Sequence, residues 1–255
     1  MNRIFAMAAP AQTKTNRKTR FDQGKTASGE RRACTHTAFA PLHYEPNYAY
    51  PLLIWLHNCG GDERQLNRVM PHISMRNYVA VGVRGPSPCE DRRGFTWRQE
   101  EDAIHAAEQR VLDAIHDASG RFNINHQRVF VAGYETGGSM AFRLALRRPG
   151  KFAGALGISS PFPTSGAPLA KFSHLRDLPL FLAYSRDSLV YTTDDLCEQL
   201  PLFHSAGLKV AIRQYPCGDE LTTQMLQDMD SWMMEQVTGA PAAETALCQP
   251  DGRWN

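Results

Sequence analysis

No stretch of this chain is long and apolar enough to span a bilayer, no cysteines show a CxxC or the Cys/His spacing of a zinc site, and no segment repeats along its 255 residues. The first absence excludes a helical membrane protein, the second a sequence-legible zinc module, and the third a solenoid or propeller. The opening "MNRIFAMAAPAQ" carries one Arg and an apolar stretch shorter than the roughly 7 to 15 residues of a secretory leader, so a soluble cytoplasmic protein is expected. The six cysteines (Cys34, Cys59, Cys89, Cys197, Cys217, Cys248) are scattered and read as mostly reduced thiols.

Neither charge sign dominates, with 28 Lys/Arg against 26 Asp/Glu. The distribution is uneven: residues 1–32 hold eight basic residues against Asp22 and Glu30, leaving a mildly acidic body. Residues 1–35 therefore read as a basic, solvated and disordered arm, on which no nucleic-acid function is built.

What the chain does have is a hydrophobic content of 42% and a regular alternation of elements. "YPLLIWLHN" (50–58) and "YVAVGVRG" (78–85) are near-continuous apolar runs bounded by Pro, Gly and Asn, as in strands covered on both faces. Similar runs recur at 127–134, 152–159, 178–185 and 208–216. Helical patterns separate them at 99–118, 137–148 and 192–206, and a last one at 222–237 places Met225, Leu226, Met229, Trp232 and Met233 on one stripe. The alternation predicts one α/β domain over 36–239, a mainly parallel twisted sheet with helices on both faces, and a tail at 240–255.

"VAGYETGGSM" (131–140) joins a strand to a helix through a G-x-x-x-G turn in which Gly133 and Gly137 permit close approach and Glu135 sits at the apex. This is the context of the nucleophile elbow. Together with "PLLIWLHNCGGDERQL", "GFTWRQ", "FNINHQRVFVAGYETGGSMAFRLALRRPGKFAGALGISS" and "GLKVAIRQYPCGDEL", it resembles the carboxylesterase/phospholipase group of α/β-hydrolases, relatives of acyl-protein thioesterases and dienelactone hydrolases. The resemblance covers roughly residues 36 to 237.

That resemblance implies an α/β-hydrolase fold and a Ser, Asp, His triad in chain order. It puts Glu135 at the serine position, Asp187 at the acid and Asp219 at the histidine, so only the acid matches. It also implies an oxyanion hole from the backbone N–H groups of Thr136 and Cys59, next to Gly60, with Asn58 standing where the family's loop has Gly. Acyl transfer by serine needs a hydroxyl and an imidazole, and this site offers neither.

The resulting expectation is an inactive or strongly impaired hydrolase homologue that keeps a pocket for a small acyl or ester-like ligand or a partner. The alternative is an active ester or thioester hydrolase working through a non-standard or misaligned site. Glu135 as a covalent nucleophile is disfavoured, because its longer side chain overshoots the attack point and Asp219 does not activate water as an imidazole does.

Glu135, Asp187 and Asp219 are expected to converge, neutralised by arginines such as Arg84, Arg98 or Arg186 in preference to a cation, so no metal and no cofactor are assigned. Glu135 is further expected to fold back onto the Thr136 and Cys59 N–H groups, plugging the hole. His57 reads as structural, Cys59 and Cys217 as inert, and 85–102 as a polar rim or loop. The oligomeric state is left open.

Overall fold

The computed structural model describes residues 35–90, 93–164 and 175–239. The expected arm, apart from Thr35, and the expected tail lie outside these residues.

Seven strands form one sheet in the order β1-β3-β2-β6-β7-β8-β9. The central strands are β2 (Tyr50–Leu56) and β6 (Ile124–Tyr134), flanked by β3 (Val79–Val83) and β7 (Gly154–Ile158). β8 (Pro179–Ser185) and β9 (Lys209–Tyr215) continue one side, and β1 (His36–Phe39) closes the other. All pairings are parallel except β1 against β3. A two-stranded hairpin, β4 (Ser87–Pro88) with β5 (Phe95–Thr96), stands apart from the sheet.

The uninterrupted apolar runs have a physical cause, because side chains alternate between sheet faces and here both faces are dry. Along β2, Leu52, Ile54 and Leu56 join one core, while Leu53 and Trp55 join another. The first core holds α2 (Glu101–Arg121), α3 (Thr136–Arg147) and α4 (Thr193–Ala206). The second holds α1 (Gln65–Ile73) and α5 (Thr223–Thr238), whose Met225, Leu226, Met229, Trp232 and Met233 form the expected stripe. Among the described residues, no helix is long and apolar enough to cross a membrane.

The sequence reading missed β1, the hairpin, and the first three residues of β6. The composition of 85–102 predicts a polar rim or loop; instead β5 is tied to the loop after β2, with Gly60 N donating to Phe95 O at 3.0 Å and Phe95 N to Gly61 O at 2.9 Å.

Candidate functional site

The site begins where β6 ends. Glu135 has φ 50 and ψ −119, between Tyr134 of the strand and Thr136 of α3. An L-residue held there costs roughly 1–3 kcal/mol, so the surroundings must enforce it. Two bonds do: Glu135 N donates to Ile158 O at 2.9 Å, and Ser139 N donates to Glu135 O at 3.1 Å. Close packing does the rest. A Cβ on Gly133 would run into the Gly137 carbonyl, and one on Gly137 would strike the carbonyl oxygens of Leu56 and His57. The second contact sets the start of α3 against the end of β2, which brings Thr136 toward the Asn58–Gly60 loop.

The Glu135 carboxylate does not cap α3. The side chains that favour its charged form are those of Tyr134 and Asn58. The expected plugging of the oxyanion hole is therefore corrected: the carboxylate makes no capping bond at the helix terminus. Asn58 also lacks a positive φ, so replacing Gly there strains nothing.

The orientation of Asn58 follows from a chain of donors. The indole of Trp55 only donates, and its Nε1 meets Gln65 Oε1 at 2.8 Å. Gln65 Nε2 then donates to Asn58 Oδ1 at 2.8 Å. That leaves the Asn58 amide nitrogen as the donor toward Glu135.

Partial burial pushes the Glu135 carboxyl above its ordinary value, and the charge of Asp219 adds to this; the side chains of Tyr134 and Asn58 oppose it. Burial likewise raises Tyr134, with Glu135 contributing. The Tyr134 hydroxyl donates its proton to the Asp219 carbonyl oxygen, so one phenol links the elbow to the segment after β9.

Asp219 stands after β9 at the same sheet edge as Glu135, but its carboxylate is committed elsewhere. It accepts from the Ser188 hydroxyl and, at 3.2 Å, from Leu189 N. Those bonds hold its pKa below the usual carboxylate value. Ser188 Oγ in turn accepts from Val190 N at 3.1 Å and Tyr191 N at 3.0 Å, so Asp219 staples the loop after β8.

Asp187 lies on that loop, and its N–H donates to Cys217 O at 3.1 Å. Its exposed carboxylate pairs with Arg186 through two bonds of 3.0 and 3.2 Å. Arg186 holds Asp187 below the ordinary value. Of the two aspartates, Asp219 is the one whose charge acts on Glu135. Of the arginines named as neutralisers, Arg186 serves Asp187, whereas Arg84 grips Glu63, with Nε to Oε2 at 2.6 Å. The described residues contain no cluster of three or more His, Cys, Asp or Glu side chains placed to hold a metal.

His57 is fully buried, with Gly85 N donating to Nε2 at 2.9 Å and Nδ1 at 2.7 Å from Asn58 O. These bonds place the single ring proton on Nδ1 and occupy both nitrogens. Burial lowers its pKa, which keeps the ring neutral. Trp97 Nε1 donates to His57 O at 2.8 Å, completing a rigid support under the loop.

Around the remaining donors, Gly60 N is already used by Phe95 O and by Cys89 Sγ, at 3.2 Å. Among the described residues, Thr136 Oγ1 and Ser159 Oγ are buried without a hydrogen-bond partner. Ser159 has φ 48 and directly follows Ile158, whose carbonyl fixes Glu135. A cavity of about 520 Å³ opens beside the loop, lined by residues including Cys59, Gly60, Cys89, Glu90, Thr96 and Arg98. The hairpin thus forms a wall of the cavity, and Arg98 faces it without neutralising the elbow carboxylates.

Sequence reasoning missed Asn58, Gln65, Tyr134 and Ser188 as parts of this arrangement. Asn58 carried a signal, since by the resemblance it stands at a glycine position of the loop beside the elbow.

A mainly parallel sheet, helices on both faces and a strained strand-to-helix elbow define an α/β-hydrolase fold. Residues 53–236 match the Phospholipase/Carboxylesterase family, and the chain belongs to it. Among solved structures, the Bacillus cereus carboxylesterase is 18% identical with a TM-score of 0.64, over 79% of this chain and 93% of that one. A carboxylesterase from Mesorhizobium loti is 22% identical with a TM-score of 0.60, over 76% and 90%. SOBER1 of Arabidopsis thaliana is 17% identical with a TM-score of 0.63, over 74% and 100%. At these identities the likeness shows the fold.

Proposed function

We propose that this chain is a carboxylesterase/phospholipase relative that has exchanged acyl transfer for binding, its elbow position being occupied by a carboxylate that other side chains hold in place. The observation supporting this reading is Glu135 itself at the apex of the strained elbow, with φ 50 and ψ −119. Acyl transfer from that position needs a hydroxyl with a base beside it, and Glu135 supplies no hydroxyl. The other two triad positions are likewise occupied by structural work, Asp219 with Ser188 and Leu189 and Asp187 with Arg186.

The ligand this reading favours is a small molecule bearing an ester, acyl or other carbonyl group. Membership of the Phospholipase/Carboxylesterase family and the cavity beside the Cys59–Gly60 loop support that ligand class. The working environment proposed for the protein is the cytoplasm.

A second reading has one observation in its favour. Glu135 is raised and Asp219 lowered, and carboxyls pushed apart in this way are how acid and base roles divide. An ester or thioester hydrolase using that pair is the alternative.

The test is turnover of a p-nitrophenyl ester and labelling by a serine-directed fluorophosphonate, with the double variant Glu135→Ser/Asp219→His alongside. Binding without chemistry predicts that the unaltered protein matches a denatured control in both assays. Turnover or labelling above that control overturns it.

A further inference from the structure

Cys59 and Cys89, thirty positions apart in the chain, bring their sulfurs to 3.5 Å on the wall of the 520 Å³ cavity. Several features make this more than a chance approach. Gly60 N donates to Cys89 Sγ at 3.2 Å, which stabilises negative charge on that sulfur. The two backbones are clamped in register by the Gly60–Phe95 and Phe95–Gly61 bonds, and Cys89 N donates to Gly94 O at 3.2 Å. Cys59 is exposed and Cys89 half-buried, so one thiol meets solvent and the other stands behind it.

We infer that Cys59 and Cys89 form a reversible dithiol/disulfide site that exchanges with small-molecule disulfides. A bond length of about 2.05 Å requires the sulfurs to close by roughly 1.5 Å. In the first step Cys59, as thiolate, attacks one sulfur of R–S–S–R; that bond breaks, and RS⁻ leaves and takes up the proton Cys59 released. In the second, the Cys89 thiolate favoured by the Gly60 N–H attacks the Cys59 sulfur of the mixed disulfide. The second RS⁻ leaves with the Cys89 proton. Two electrons pass from the protein sulfurs to the small disulfide, which becomes two thiols.

The crosslink joins the loop after β2 to the hairpin, the two parts that wall the cavity. This site is separate from the elbow carboxylates, and it stands whether or not the elbow is catalytic.

The experiment equilibrates the full chain in reduced and oxidised glutathione buffers, quenches with iodoacetamide and maps the peptides. A Cys59–Cys89 linked peptide is expected, its ratio to the dithiol changing about tenfold per 30 mV, as a two-electron couple requires. That ratio depends on the square of the thiol concentration. Cys89→Ser is expected to trap glutathione on Cys59. The oxidised protein is expected to melt about 5 °C or more above the reduced one, a difference absent from Cys89→Ser. If that variant does not fold, the map of the unaltered protein decides. Glutathione found separately on each cysteine, or pairing of Cys59 with Cys34, Cys217 or Cys248 instead, overturns the inference.

Discussion

Asn58 and Glu135 lie 77 residues apart, yet the side-chain amide of one favours the charged form of the other. In the resemblance to hydrolases these are the oxyanion-loop glycine and the nucleophile serine. By that resemblance both positions depart from the family pattern. Trp55 and Gln65 aim Asn58 from behind, so the pairing has a built support.

Removing that donor isolates its effect. Asn58→Ala is expected to raise the Glu135 carboxyl further, since a bond to its charged form disappears. Carbon-13 shifts of labelled glutamate side chains followed through a pH titration check this. Gln65→Leu is expected to shift Glu135 in the same direction by less, because Asn58 survives but loses its orientation.

The pH dependence of Glu135 has a definite sign. Its folded pKa lies above the unfolded one, so the folded state binds the proton more tightly. Stability from this group is fully present below the unfolded pKa and is lost as pH rises through the folded pKa. Glu135→Gln keeps an acceptor for Asn58 but carries no charge. It is expected to melt about 1–3 °C above the unaltered protein at pH 7, the gain vanishing near pH 4. Calorimetry at several pH values measures it.

Asp219 behaves oppositely, its stabilising effect being present above the unfolded pKa and lost as pH falls through the lowered folded pKa. Asp219→Ala is expected to cost on the order of 1 kcal/mol through the lost bonds to Ser188 and Leu189. The loop after β8 then opens. Leu189 is already 89% exposed, so limited chymotrypsin digestion is expected to cut there faster in the variant.

Gly137→Ala forces a methyl into the carbonyl oxygens of Leu56 and His57. Backbone on both sides cannot yield, and a loss of about 3 kcal/mol or more is expected. A fall in melting temperature of roughly 6 °C or more, or failure to accumulate as folded protein, is the readout.

Rebuilding the triad is limited by Asp187. In Glu135→Ser/Asp219→His the new histidine needs an acid to orient it, while Asp187 pairs with Arg186. Adding Arg186→Ala is expected to raise the ester turnover of that double variant several-fold.

The sheet was legible because strands buried on both faces must be apolar at every position, and Leu52 to Leu56 announce this. The elbow was legible because Gly133 and Gly137 have steric work that few other contexts require. Hairpin strands of two residues, such as Ser87–Pro88, have no period to read. The polar contacts were hidden for a different reason. Whether Asp187 faces its neighbour Arg186 or Asp219 is settled by side-chain torsion, and Tyr134 reaches Asp219 across 85 residues.

The most direct test compares p-nitrophenyl ester turnover by the unaltered protein with that of Glu135→Ala in the same preparation. The account predicts that the two rates coincide with each other and with heat-denatured protein. Turnover above that background in the unaltered protein, abolished by Glu135→Ala, would contradict it.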